Sequence, residues 1–311
     1  MVTNILFIGG AGFIGSNLVK AFLLDGQHRV FVLEPERANT SRLDPFKNQV
    51  TILQGDIRDA VSVEHFIVDY HIQIVFHLVS TLIPGSTLPH FQNEMNDIIL
   101  PTMNLMEMCA KRKIKFVYFS SGGTIYGNNS SEHKETDNRE PISYYGLSKC
   151  LAEDMIRFEA RHLQLNYLIL RPSNPYGPGQ NIYGRQGLIA VSIGKVLRGD
   201  TLQVWGDGNS VRDYIYIDDL AQMIYLLIKN QVSGKTVNIG SGKGYSVNTI
   251  IQLLDRYLDE PVKVEHVPSR GVDVDSIVLD CTLLHQLIDY QPIDIETGIQ
   301  NFITYIKKNG K

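Results

Sequence analysis

The chain has 311 residues, of which 43% are hydrophobic, and a formal net charge of -4 at pH 7. That length and composition suffice for one large domain or slightly more, and the mild acidity excludes an electrostatic footprint for nucleic acid. No stretch is apolar enough to span a bilayer and no signal peptide is recognisable, so we expect a soluble protein without a membrane partner.

The three cysteines, Cys109, Cys150 and Cys281, form neither a Cys-x-x-Cys pair nor a metal-ligand spacing. We therefore expect no disulfide and no structural metal. Free thiols are typical of a reducing compartment, and the composition favours the cytoplasm.

The N-terminal segment is predicted to form a strand, a glycine turn and a helix. Residues 5–8 are a continuous apolar run, three glycines follow at three-residue spacing, and a helical pattern covers residues 16–24. Such glycines let the backbone approach a pyrophosphate while the N-terminus of the helix supplies N–H donors. The dinucleotide contacts predicted in this turn are Gly9, Gly12, Phe13, Ile14 and Gly15.

The second predicted strand, residues 29–33, ends at Glu34. A carboxylate at this place can accept hydrogen bonds from the adenosine ribose, which favours NAD over NADP as the cofactor. Arg37 lies close by in the sequence and would instead suit the 2′-phosphate of NADP, so that alternative stays open.

Further strand signals at residues 50–53, 74–76 and 116–119 alternate with helical patterns at 59–70 and 91–112. This order predicts a Rossmann-type α/β fold with a doubly wound parallel sheet, in which ligands bind at the carboxyl ends of the strands. The predicted strand ends carry Asp56, Ile57, His77, Leu78, Ser80 and the stretch 120–124. Of these we interpret the histidine as a packed core residue, because no partner residue is spaced to use it.

Tyr145 and Lys149 stand one helical turn apart at the start of a helical run. Residues four apart share a helix face, so the ammonium is expected close to the phenol, where it would favour the phenolate and lower the pKa of Tyr145. A tyrosine tuned in this way can exchange a proton with a substrate hydroxyl near neutral pH. The pair is therefore a candidate acid/base centre.

Motifs continue along nearly the whole chain, and their order is more specific than any one of them. They occupy residues 9–15, 55–56, 77–78, 120–127, 145–149, 170–178, 205–208, 212–219 and 269–274. With this set the chain resembles the extended short-chain dehydrogenase/reductases, specifically the NAD-dependent nucleotide-sugar epimerase, dehydratase and reductase group typified by UDP-glucose 4-epimerases.

The resemblance implies two interleaved domains. An NAD-binding Rossmann domain would comprise residues 1–172, and residues 213–241 would return to it. A smaller α/β domain, residues 173–212 and 242–311, would bind a nucleoside diphosphate sugar. The family also implies a homodimer built from the helix near residue 91 and the helix of Tyr145.

The resemblance also implies roles for single residues. Tyr145 would be the acid/base, and Lys149 would hold the nicotinamide ribose. Arg212 and Arg270 would grip the sugar diphosphate, since guanidinium groups suit phosphate oxygens. The remaining contacts implied are Ser120 and Pro172 for the cofactor, and Asn174, Gly187, Leu188, Val204 and Asp273 for the substrate.

One departure from the family concerns Gly122. The epimerases of the family usually carry a Ser or Thr there that hydrogen-bonds the sugar hydroxyl. Here either Ser121 or Thr124 would supply that hydroxyl, or Tyr145 would act alone. The Asp-Glu pair of the family's dehydratases is replaced as well, which argues against dehydration. Ile277 aligns with a position that limits room beside the C2 substituent of the sugar.

The leading hypothesis is a 4-epimerase of a nucleoside diphosphate hexose, acting through a transient 4-keto sugar. One alternative is an NDP-4-keto-6-deoxyhexose 4-reductase, which would use the same tyrosine but release its cofactor at each turnover. A second alternative is a non-catalytic dinucleotide-binding module. The sequence leaves the sugar and the nucleotide open. It also predicts the polar stretch 128–140 as a surface loop.

Overall fold

The protein is described here by a computed structural model that covers residues 2–128, 132–269 and 274–309. The strands are β1 Thr3–Ile8, β2 His28–Glu34, β3 Val50–Gln54, β4 Ile74–His77, β5 Lys115–Phe119, β6 Glu132–His133, β7 Tyr167–Pro172, β8 Asn174–Tyr176, β9 Leu202–Trp205, β10 Val211–Tyr216, β11 Lys235–Ile239, β12 Gly244–Ser246, β13 Val264–Val267 and β14 Ser276–Leu279. The α-helices are α1 Phe13–Leu23, α2 Ala60–Asp69, α3 Leu88–Glu94, α4 Leu100–Lys111, α5 Tyr144–His162, α6 Leu188–Arg198, α7 Ile217–Lys229, α8 Val247–Tyr257, α9 Thr282–Leu287 and α10 Ile295–Asn309. A 3₁₀ turn spans Ser41–Phe46, and a π-helical turn, Met95–Ile99, joins α3 to α4.

The larger sheet has seven parallel strands in the order β11-β7-β5-β4-β1-β2-β3. The chain leaves the centre of the sheet toward β3 and returns to the other side of β1 with β4. This reversal between β1 and β4 is a topological switch point, where a crevice opens at the carboxyl ends of the strands. The predicted Rossmann-type α/β fold is confirmed.

Each face of this sheet buries its own apolar cluster. Ile5 and Phe7 of β1 contribute to the cluster under α1 and α7, while Leu6 and Ile8 contribute to the cluster under α2, α4 and α5. Successive side chains of a strand point to opposite faces, so a strand covered on both sides reads as the continuous apolar run seen in the sequence.

The remaining strands form a smaller assembly. A sheet of order β12-β10-β14-β6 has β8 beside β10, and β9 pairs separately with β13. Helices α6, α8 and α10 surround a third apolar cluster there, which includes Ile250 and Phe302. Because β11 pairs with β7, the stretch 213–241 does contribute a strand to the larger sheet. The division into two domains at the boundaries given above stays a prediction.

The polar stretch 128–140 differs from its prediction as a surface loop. Within its described part, β6 pairs with β14, and His133 is fully buried and stacks on the ring of Tyr126 with the centroids 4.7 Å apart. A two-residue strand is too short to show an apolar period, so the sequence does not reveal it. Across the described ranges, no helix combines the length and the apolarity that crossing a membrane requires.

Candidate active site

The glycine turn joins β1 to α1 and leaves its outer side open. Gly9 has a φ of 81°, which favours glycine, and a Cβ at Gly15 would lie 2.7 Å from the Cα atom of Gly10. A Cβ at Gly12 would meet only the Gly9 carbonyl oxygen, at 3.5 Å. A side chain there would therefore fill the space in front of α1, where the first N–H groups of the helix have no intrahelical acceptor.

A cavity of about 500 Å³ lies in front of this turn. Glu34 borders it, is 8% exposed, and accepts a hydrogen bond from the Ala11 N–H at 2.6 Å, while burial raises the pKa of its carboxyl. Arg37 is exposed. Phe13 and Ile14 are partly buried, pack against the core and are not among the residues that line the cavity. The predicted cofactor residues that line the cavity are Gly9, Gly12, Glu34, Asp56, Ile57, Leu78 and Ser80.

The open turn and the carboxylate at the end of β2 fit a dinucleotide. A pyrophosphate needs unobstructed backbone N–H groups at a helix N-terminus, and the bare Cα of Gly12 leaves them accessible. A ribose needs an acceptor at the end of the second strand, and Glu34 lies there.

Glu94, which was not predicted, lies behind the wall of this cavity and holds two residues that line it, Ser80 and Thr81. It is 1% exposed and accepts hydrogen bonds from the Thr81 N–H at 2.8 Å, the Thr81 hydroxyl at 2.6 Å and the Ser80 hydroxyl at 2.8 Å. It therefore fixes the loop after β4, and its charge opposes the lowering of the Lys149 pKa. A single acidic residue inside a helical pattern gave no signal in the sequence.

Tyr145 lies in the first turn of α5, where the hydroxyl of the N-cap Ser143 accepts a hydrogen bond from the Gly146 N–H at 3.1 Å. The Ser121 side chain is the neighbour of Tyr145 that acts to lower the pKa of its phenol, against the larger raising effect of burial. Thr124 in turn donates from Oγ1 to Oγ of Ser121 at 2.9 Å. Of these two hydroxyls, Ser121 is the neighbour of Tyr145 and Thr124 donates to Ser121. Whether Ser121, Thr124 or Tyr145 alone acts on the sugar stays a prediction.

Lys149 is 3% exposed and lies next to Tyr145, as the helical spacing predicted. Its Nζ atom is 5.6 Å from the centroid of the Tyr145 ring and donates a hydrogen bond to the Phe119 carbonyl oxygen at 2.9 Å. Burial lowers the pKa of Lys149 to about 8, and the charges of Glu94 and Glu153 oppose that effect.

The expected lowering of the Tyr145 pKa is wrong for this structure. Burial raises the pKa of Tyr145 to about 12, because the phenolate would lose its hydration, and the neighbouring Ser121 side chain offsets only part of that cost. The phenol is therefore protonated at neutral pH. To act as a base it needs additional positive charge in the site.

A second cavity, of about 760 Å³, lies where β8, β9 and β10 meet α6. Asn174 borders it and donates from Nδ2 to the Asp213 carbonyl oxygen at 2.8 Å. The predicted substrate residues that line this cavity are Asn174, Gly187, Leu188, Val204 and Arg212. Two further predicted contacts, Arg270 and Asp273, lie outside the described residues.

Three other residues that the sequence placed near the cofactor or the sugar line neither cavity. Ser120 is 3% exposed and donates from Oγ to Glu153 at 2.6 Å, so its hydroxyl belongs to a buried network beneath α5. Pro172 ends β7 and accepts a hydrogen bond from the Gly122 N–H at 2.8 Å, which makes it a support for the loop of Ser121. Ile277 is 1% exposed and packs in the core, so it offers the sugar no exposed surface.

Comparison with known proteins places this geometry in a family. Residues 5–240 match the family model of the NAD dependent epimerase/dehydratase family. A putative UDP-glucose 4-epimerase of Methanocaldococcus jannaschii is 32% identical over 99% of both chains, and a dTDP-4-dehydro-6-deoxyglucose reductase of Escherichia coli is 28% identical over 98% of both. The crystal structure of a UDP-glucose 4-epimerase of Thermotoga maritima with UDP-glucose has a TM-score of 0.90 at 32% identity, covering 99% of this chain and 100% of that one. The chain therefore belongs to the NAD dependent epimerase/dehydratase family, and it is an NAD-dependent enzyme of the nucleotide-sugar epimerase type or a closely related reductase.

Proposed function

We propose that this enzyme is a 4-epimerase of a nucleoside diphosphate hexose, of the UDP-glucose/UDP-galactose type, which acts through a transient 4-keto sugar. The observation that carries the proposal is the position of Tyr145 in the first turn of α5, with Nζ of Lys149 5.6 Å from the centroid of its ring. The Ser121 side chain is a further neighbour of the tyrosine. The loop of Ser121 adjoins the substrate cavity, because a Cβ at Gly123 would lie 3.7 Å from the Asn174 side chain. We propose that the sugar reaches from that cavity toward Tyr145, which lies beside Lys149.

The proposed chemistry needs a group that both accepts and returns a proton at one oxygen. Tyr145 takes the proton of the C4 hydroxyl as the 4-keto sugar forms, and gives it back when the ring has turned over. A hydrogen bond donated by the Ser121 hydroxyl would stabilise the charged form of Tyr145. Bound NAD supplies the hydride acceptor and donor, together with a positive charge that favours the phenolate.

Epimerisation also needs the keto sugar to turn without leaving. Arg212 borders the cavity, and we propose that it holds the diphosphate during that rotation. A guanidinium stays charged at any working pH and can bind two phosphate oxygens at once. In this proposal the diphosphate therefore stays bound while the hexose rotates.

The second candidate is a 4-reductase of an NDP-4-keto-6-deoxyhexose, with a dTDP or GDP sugar as substrate. The relative named as a dTDP-4-dehydro-6-deoxyglucose reductase, matched along nearly its full length, supports it. Such an enzyme would use Tyr145 only to donate a proton, and it would exchange its cofactor at each turnover.

The discriminating experiment is to denature the purified protein and count the released dinucleotide against protein chains. A 4-epimerase is expected to release nearly one NAD per chain and to interconvert UDP-galactose and UDP-glucose with no cofactor added. An empty protein that consumes NADH or NADPH only with a 4-keto-6-deoxy sugar nucleotide would replace this proposal with the reductase.

The role of Tyr145 has its own test. Tyr145→Phe is expected to abolish turnover while the protein still binds NAD, because only the exchangeable proton is removed. Tyr144→Phe is the matched control, since its ring packs against Phe91 with the centroids 5.3 Å apart. Equal activity of the two variants would remove Tyr145 from the mechanism.

We also propose a cytoplasmic homodimer. The described cysteines are free and buried, as a reducing compartment allows. Exposed apolar side chains lie on the neighbouring helices α4 and α5: Leu100, Met103, Leu147 and Phe158. Sedimentation of the wild type should give a dimer mass and that of Phe158→Glu a monomer mass, with Leu24→Glu, at an exposed site directly after α1, as the control.

A further inference from the structure

Gly122 is packed so closely that a side chain there would force a neighbour to move. A Cβ at this position would lie 2.5 Å from Cδ1 and 2.9 Å from Cδ2 of Leu279, and 3.1 Å from the Arg171 carbonyl oxygen. Distances below about 3 Å require a neighbour to move. Leu279 is fully buried, and the carbonyl oxygen belongs to β7, so neither yields easily.

The loop on both sides of Ser121 is tied to β7. The Ser120 N–H donates to the Leu170 carbonyl oxygen, and the Gly122 N–H donates to the Pro172 carbonyl oxygen, each at 2.8 Å. The backbone of Ser121 is therefore held between two fixed neighbours. Any shift of Gly122 away from Leu279 must move the Ser121 hydroxyl as well.

Leu279 is itself anchored from the opposite side. Its N–H donates to Oδ2 of Asp213 at 3.4 Å, and its strand β14 pairs with β10 and β6. The Asp213 carboxylate is fully buried and also accepts hydrogen bonds from the Ser241 N–H at 2.9 Å and the Gly242 N–H at 3.1 Å. Leu279 therefore packs against the loop of Ser121 from a strand that is itself held in place on both sides.

We propose that Leu279, packed against the bare Cα of Gly122, is a positioning residue that holds the Ser121 hydroxyl against Tyr145. Its effect on turnover rests on the proposed epimerase function. The departure from the family at Gly122 then has a physical reason: the position is filled from β14 instead of carrying its own hydroxyl. The hydroxyl that contacts the tyrosine comes from the preceding residue.

The first variant is Gly122→Ala, whose methyl group must displace either Leu279 or the loop. We expect kcat to fall roughly 10- to 100-fold with KM nearly unchanged, because a hydroxyl moved by about 1 Å no longer supports proton transfer. In a Ser121→Ala background the same substitution should cost nothing further, since the hydroxyl that it misplaces is already absent.

The second variant adds room for the methyl group. Gly122→Ala with Leu279→Ala should recover most of the lost kcat, because the methyl then occupies space that the leucine left. Gly122→Ala with Leu284→Ala is the control, since Leu284 is equally buried in the same apolar cluster and its removal opens space elsewhere. Leu279→Ala alone should lower kcat, and Leu284→Ala alone should not.

A readout without substrate separates this proposal from the epimerase proposal. The ¹³Cζ resonance of Tyr145, assigned by its loss in Tyr145→Phe, reports the hydrogen bond to the phenol oxygen at fixed pH. Gly122→Ala and Leu279→Ala should shift it in the direction that Ser121→Ala does, and the double variant should restore it. If these shifts are seen but the protein epimerises no nucleotide sugar, the proposed function is wrong and the role of Leu279 stands. An unshifted resonance, or equal recovery with Leu284→Ala, would overturn the role of Leu279.

Discussion

Arg171 and Glu153 form a buried, bidentate ion pair. Nε of Arg171 donates to Oε1 at 2.9 Å and Nη2 donates to Oε2 at 2.6 Å, and the two residues are 1% and 0% exposed. The same carboxylate accepts a hydrogen bond from Ser120 at 2.6 Å, and Nη1 of Arg171 donates to the Tyr126 hydroxyl at 2.8 Å. The pair therefore ties the loop from residue 120 to residue 126 to α5, one helical turn after Lys149.

Glu153→Gln is expected to lower the free energy of unfolding by about 3 kcal/mol or more, because it leaves the Arg171 charge buried without its partner. The comparison is Lys20→Met, which removes the exposed ion pair with Asp218 and should cost less than about 1 kcal/mol. Urea unfolding near neutral pH measures both. Burial raises the pKa of Glu153, but the hydrogen bond and charge of Arg171 and the other partners of the carboxylate outweigh it, and the net shift is downward. This stabilisation is therefore present above the unfolded pKa and is lost as the pH falls through the folded value. Equal losses for the two variants would contradict the prediction.

Lys149 should make stability rise with pH in an alkaline window. Its folded pKa of about 8 lies below the ordinary value of 10.5, so the unfolded chain binds the extra proton between these two pH values. Wild-type stability relative to Lys149→Met should therefore increase, by on the order of 1 kcal/mol per pH unit, above about pH 8. Lys20→Met, which removes an ammonium group at an exposed site, is the matched control in urea unfolding. A difference that is constant from neutral pH upward would show that the buried lysine titrates normally.

The sequence predicted the parts of the fold that repeat a pattern. The parallel strands of the larger sheet are buried on both faces, so they appear in the sequence as short apolar runs. The turn between β1 and α1 is recognisable from the regular spacing of its glycines. Tyr145 and Lys149 were found because a helix places residues four apart on one face. In each case the signal lies within a few consecutive residues.

The remaining features depend on contacts between distant parts of the chain. Glu94 accepts a hydrogen bond from Thr81, in a loop that comes well before it in the chain. Leu279 packs against Gly122, although the two residues lie far apart in the sequence. The pKa of Tyr145 was mispredicted for the same reason, because spacing reports the nearby ammonium but not the exclusion of water that dominates here. Burial is a property of the folded chain, and one sequence window does not contain it.

Gly15→Ala should reduce the NAD content of the purified protein at least about tenfold. A Cβ there would lie 2.7 Å from both the Cα atom and the carbonyl oxygen of Gly10, so the turn must open and move the N–H groups that face the pyrophosphate. Gly85→Ala is the control, because a Cβ at Gly85 meets nothing within 4 Å. The released dinucleotide is counted after denaturation. Full NAD occupancy in the Gly15 variant would show that the turn does not hold the cofactor.

Arg212→Met should raise the KM for the nucleotide sugar about 10- to 100-fold and change kcat less, since the grip on the diphosphate is present in the ground state and the transition state alike. A weaker grip should also let the keto sugar escape, so reduced cofactor is expected to accumulate during turnover. Arg256→Met is the matched control, because Arg256 pairs with Glu296 on the surface formed by α8 and α10. Steady-state kinetics with UDP-galactose, followed together with cofactor absorbance, measure both effects. A fall in kcat at constant KM would place Arg212 at the reacting carbon instead of at the phosphates.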